Sequence, residues 1–103
     1  MSFGLLALVA LQVAAPAATP SADDIVVTGM RLGRVQYAMS VHRLTGATKC
    51  RITRSSGDPA VDREMCDIAR HCAATVRRTR PAIEACTEAG KQRFLATYVP
   101  RRD

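Results

Sequence analysis

The chain of 103 residues carries 15 Lys and Arg against 9 Asp and Glu, a formal charge of +6 at neutral pH. This length admits one domain, and its aromatic side chains, Phe3, Tyr37, Phe94 and Tyr98, make no stacking platform for single strands, so nucleic acid is not expected as a partner. No nucleophile beside a base, no zinc-ligand spacing and no phosphate loop stands out, so neither catalysis nor a cofactor is expected.

Residues 1–22 form an apolar leader in which no charged side chain precedes Asp23. Its core of about 9 to 13 residues suits the central region of an export signal and falls short of the roughly 20 that a bilayer span needs. Ala15-Pro16-Ala17 fits cleavage after Ala17, and Ala22 offers a second site, which places the protein in the periplasm or outside the cell. Four cysteines behind such a signal, Cys50, Cys66, Cys72 and Cys86, read as a disulfide framework. A domain of about 80 residues builds a marginal core, so covalent staples make physical sense.

Next come Ile25-Val26-Val27-Thr28, a β-branched run ending at Gly29, which predicts a short strand or extended arm within residues 23–34. From there Val35, Tyr37, Met39 and Val41 alternate with Gln36, Ala38, Ser40 and His42, the period of a strand with one apolar face. Leu44-Thr45-Gly46 supplies turn chemistry, and Lys49 to Arg54 resumes the alternation with Cys50 and Ile52 on one side, completing a β-hairpin.

Ser55-Ser56-Gly57 reads as a turn, Asp58 as a helix cap and Pro59 as a first helical residue. Val61, Met65, Ile68, Cys72 and Val76 then form the stripe of an amphipathic helix, with Asp62, Glu64 and Asp67 on a solvated face beside Arg63 and Arg70. Arg77-Arg78-Thr79-Arg80-Pro81 breaks this helix, and Pro81 opens a second one with Ile83, Cys86, Gly90 and Phe94 on one face. Residues 92–99 are taken as helix ahead of a strand. The predicted fold is α+β: an arm, a hairpin and two helices, with the domain over residues 35–99 and a tail over 100–103. His42 and His71 read as structural or exposed.

Within one helix Cys66 and Cys72 are separated by about 9 Å of rise, beyond the roughly 7 Å between Cα atoms that a disulfide spans. Two pairings survive: Cys50 with Cys66 and Cys72 with Cys86, or Cys50 with Cys72 and Cys66 with Cys86. The first joins sequence neighbours and is favoured on that ground; the helix faces do not decide between them.

The stretch Cys50-Arg51-Ile52-Thr53-Arg54-Ser55-Ser56-Gly57-Asp58-Pro59-Ala60-Val61-Asp62, continuing to Cys66, resembles the C-terminal domain of TonB-type energy transducers. Bacterial members of that family carry a Cys-x-Val-x-x-Ser-Ser-Gly segment after a strand hairpin, then Leu-Asp and a second cysteine in a helix. The resemblance spans residues 35–66. It implies a β-β-α unit in which Cys50 and Cys66 match the family's cysteine pair, and binding of outer-membrane receptors by strand pairing. The chain departs from the family beyond Cys66, where an Arg-rich helical extension with Cys72 and Cys86 stands in place of a third strand. Asp24-Ile25-Val26-Val27-Thr28-Gly29 resembles the TonB box of receptors, the segment such a domain grips.

The functional expectation is a small non-catalytic module that binds an envelope or outer-membrane protein by edge-strand pairing. Ile25, Val26, Val27 and Thr28 would be the donated strand, and Val35, Tyr37, Met39 and Val41 the accepting edge. The alternative is a cationic binder at a membrane surface, in which Arg77, Arg78, Arg80, Arg101 and Arg102 engage anionic lipid or polymer.

Overall fold

Asp58 and Pro59 start the helix around which the other elements gather. The Asp58 carboxylate accepts a hydrogen bond from the Ala60 amide at 3.0 Å, and Pro59 occupies the first turn, where its missing N–H costs nothing. The computed structural model describes Gly4 and residues 19–101, so most of the leader, with Ala17, and the Arg102 assigned to anion binding lie outside the described residues. In chain order the elements are α1 (Ala22–Arg34), β1 (Gln36–Val41), β2 (Thr48–Arg54), α2 (Pro59–Thr75) and α3 (Arg80–Thr97), an α+β fold.

The apolar stripe of α2 is the centre of the core. Val61, Met65, Ile68 and Cys72 are buried, Val61 completely, together with Leu32 and Val35; Tyr37, Ile52, Cys86, Phe94, Leu95 and Tyr98 pack around them. Val76, expected to continue the stripe, is the cap that ends α2, its N–H donating to the Cys72 carbonyl at 3.2 Å.

The hairpin is antiparallel, with Tyr37 opposite Ile52, Met39 opposite Cys50 and Val41 opposite Thr48. That register puts the predicted apolar side chains on one face. Gly46, at φ 70°, supplies the left-handed residue of the turn, and His42 accepts the Leu44 and Thr45 amides on Nδ1, a structural role.

Two disulfides fasten these pieces: Cys50–Cys66 joins β2 to α2 and Cys72–Cys86 joins α2 to α3, with Cα separations of 5.6 and 5.7 Å. No cysteine is free. Residues 92–97 belong to the single helix α3. Gly90 lies in its interior because α3 approaches α2 closely there: a Cβ at this position would stand 2.7 Å from Cγ2 of Ile68.

The arm predicted over residues 23–34 is instead α1. Ser21 Oγ accepts the Asp24 amide at 3.1 Å while the Asp24 carboxylate accepts the Ser21 amide at 3.0 Å, a reciprocal cap that satisfies two orphan donors. Asp24, Thr28 and Leu32, each four residues apart, form the buried side of the helix, and Arg31 and Arg34 sit in the last turn, where cations complement its dipole. The β-branched run costs only a few tenths of a kcal/mol per residue in a helix, less than the cap and the burial return. Val35 likewise is not part of the strand; it is the buried residue that ends α1.

Candidate functional site

The sheet has two strands, so among the described residues β1 pairs with β2 alone. The register, together with the His42 N–H donating to the Ala47 carbonyl, fixes the alternation of backbone groups: Ala38 and Ser40 face β2, whereas the N–H and C=O of Tyr37, Met39 and Val41 point to the open edge. The two edges differ in side chains. β2 carries Lys49, Arg51 and Arg54, charges that discourage pairing with another strand, while β1, Gln36 to Val41, carries none.

Beneath β1 the helices leave space. α2 packs against β2, so the inward side chains of Tyr37, Met39 and Val41 roof a cleft of about 430 Å³. Its other walls are Ala69 and Ala73 of α2 and Ile83 and Thr87 of α3, and Arg78, Thr79, Arg80 and Glu84 stand at its polar margin. Small residues create the space: alanines at positions 69 and 73, one turn apart, offer little bulk below the strand. Thr87 contributes mainly its methyl group, since its hydroxyl donates to the Ile83 carbonyl at 2.7 Å within α3.

Tyr37, Met39 and Val41 therefore lie together as expected. Ile25, Val26, Val27 and Thr28 do not form a strand that could be donated: Thr28 is wholly buried, and Ile25, Val26 and Val27, with Met30, are exposed on the outer side of α1. The arginines are divided. Arg78 and Arg80 border the cleft, with Arg77 beside them in the α2–α3 loop, whereas Arg101 neighbours Asp58 and Pro59 at the opposite end of α2. A helix of 17 residues puts roughly 25 Å between the two groups, so they do not make one cationic surface.

That far end holds the most perturbed side chains. Asp58 Oδ2 accepts from Arg31 Nη1 of α1 at 3.1 Å and from the Tyr98 hydroxyl at 2.7 Å, tying three helices at one carboxylate. Burial pushes the Asp58 carboxyl up, but the hydrogen bonds from Tyr98 and Ala60 and the charge of Arg31 outweigh it and hold it below the ordinary carboxylate value. Tyr98 is pushed up to about 12 by burial and by its bond to the Asp58 anion. Asp62, expected on a solvated face, instead accepts from the Ser55 and Ser56 hydroxyls and from the Ser56 amide, closing the turn before α2. Burial raises its carboxyl too, and these hydrogen bonds again bring it below the ordinary value. Each of these groups is engaged in joining elements.

Among the described residues no group of three His, Cys, Asp or Glu side chains could hold a metal ion, and no helix is long and apolar enough to cross a membrane. Comparisons with protein-family models, curated proteins and solved structures find no match.

Proposed function

We propose that this protein is an exported, non-catalytic interaction module, related in plan to the TonB-type C-terminal domain, that binds an envelope protein by adding an extended segment to β1. The observation that carries the reading is the combination at β1: an uncharged edge, unpaired among the described residues, lying over an apolar cleft. A strand laid along β1 would pair its backbone with Tyr37, Met39 and Val41 and direct alternate side chains toward Ala73 and Ile83. Backbone bonding supplies adhesion and the cleft supplies selectivity.

Export agrees with the two disulfides and with the start of α1. Cleavage after Ala17 retains Ser21 and its reciprocal cap with Asp24, whereas cleavage after Ala22 would remove the capping residue. The cationic reading is weaker, because the four described arginines assigned to it, Arg77, Arg78, Arg80 and Arg101, do not share one surface.

The test is a titration of isotope-labelled, oxidised protein with a capped synthetic hexapeptide of alternating Val and Thr. Binding should move the Tyr37, Met39 and Val41 amides and persist in about 0.5 M salt, where electrostatic screening shortens to a few ångström. Met39→Pro removes an outward N–H without breaking a bond to β2, and should abolish binding while circular dichroism stays unchanged. Binding that vanishes with salt and ignores this substitution would reject strand pairing.

A further inference from the structure

We infer that the segment received by β1 is acidic, apolar at alternate positions and carrying a carboxylate at the end that meets Arg78 and Arg80. This deepens, and rests on, the strand-pairing reading above. β1 is neutral, so it can fix the direction and register of a visiting strand only through shape; charge must be read from the cleft margin. There the balance is positive. Arg78 makes no ion pair or hydrogen bond among the described residues, and Arg80 contacts Glu84 at 3.3 Å in a pair whose side chains are 90% and 70% exposed. Such an exposed pair holds its partners weakly, so the Arg80 guanidinium is available to a better-placed carboxylate. A guanidinium matches that group with two parallel hydrogen bonds, a geometry that a neutral residue cannot reproduce.

Charge also decides between occupants. A second copy of this chain could in principle lay its own β1 against the edge, yet each copy is formally +6, and β1 brings no acidic group to the arginines. A different, acidic chain satisfies both requirements. The length of β1, six residues, sets the segment at about 20 Å of extended backbone.

The experiment uses full-length oxidised protein and three acetylated, amidated hexapeptides that alternate Val and Thr and end in Glu, Gln or Lys, with affinities from calorimetry and sites from amide shifts. The Glu peptide should bind about tenfold more tightly than the Gln peptide, the scale of one charge-assisted hydrogen bond, and the Lys peptide more weakly than both. Arg78→Gln with Arg80→Gln should bring the Glu-over-Gln preference down to about one while circular dichroism stays unchanged, which separates charge reading from damage to the fold. Equal affinities for the three peptides would overturn the inference and leave strand pairing intact. Failure of all three to bind, or β1 amide shifts produced by anionic lipid vesicles alone, would overturn both. Sedimentation that shows a dimer joined through β1 would assign the edge to a second copy and contradict the acidic partner.

Discussion

Substituting Gly90 by alanine sets two effects of known size against each other. In an unconstrained helix interior the change is stabilising by about 1 kcal/mol, because glycine has more backbone freedom to lose on folding. Here the added methyl would stand 2.7 Å from Cγ2, 3.1 Å from Cγ1 and 3.4 Å from Cδ1 of Ile68, a buried, β-branched side chain with little rotamer freedom. Retreat of α3 is resisted by the Cys72–Cys86 disulfide, one turn away on the same helix face. Overpacking of this kind costs typically 1–3 kcal/mol, so the net effect is a loss of about 1 kcal/mol. For a domain of this size that lowers the melting temperature by roughly 4–8 °C. The sign is the sharper test. Ile68→Ala removes all three atoms that the methyl would meet, and in that background Gly90→Ala should become stabilising by up to about 1 kcal/mol. Thermal and urea unfolding of the four proteins under oxidising conditions gives the cycle. A Gly90→Ala gain as large with Ile68 present as with it absent would refute the close approach of α3 to α2.

Thr28 is completely buried and its hydroxyl has no hydrogen-bond partner among the described residues, so Thr28→Val, nearly equal in shape, should raise stability by about 1 kcal/mol; a loss of that size in denaturant titration would mean that the hydroxyl is satisfied. The Tyr98 hydroxyl has a folded-state pKa raised from 10.0 to about 12, so its contribution is full below about pH 10 and is lost as pH rises through 12. Melting temperature should therefore fall across that window in the parent protein and be flatter there in Tyr98→Phe. Asp58 and Asp62, both held below the ordinary carboxylate value, contribute above about pH 4 and lose that contribution on further acidification, so Asp58→Asn should blunt the acid limb of the same curve. Removing Cys72–Cys86 as a serine pair opens a link between residues 14 apart in sequence and should cost about 3 kcal/mol. Because α3 forms one wall of the cleft, the same variant should also bind the peptides less tightly at temperatures where it remains folded.

What could be read in the sequence depended on whether a signal was local. Asp58-Pro59, the stripe from Val61 to Cys72 and the alternation from Tyr37 to Val41 are each complete within a few residues, and each formed as expected. The pairing of Cys50 with Cys66 and Cys72 with Cys86 also follows the order of the chain. At α1 the run Ile25-Val26-Val27-Thr28 points to a strand and masks a quieter helical pattern: Ser21 and Asp24 at capping-box spacing, then Thr28 and Leu32 at steps of four. That pattern was available and carries more energy than the propensity of the run. The cleft was half legible. Tyr37, Met39 and Val41 mark its roof by alternation, whereas Ala69, Ala73, Ile83 and Thr87 become walls only through the placement of α2 under β2 and of α3 beside α2. Tertiary placement also divided the arginines, which composition alone presents as one basic character.

Amide hydrogen exchange at β1, with and without the Glu-terminated peptide, tests the open edge most directly. In the free protein the Ala38 and Ser40 amides, bonded to β2, should exchange slowly and those of Tyr37, Met39 and Val41 rapidly; peptide should slow the second set and leave the first unchanged. Uniform protection of all five amides in the free protein, or rapid exchange at Tyr37, Met39 and Val41 in the presence of saturating bound peptide, would contradict the account.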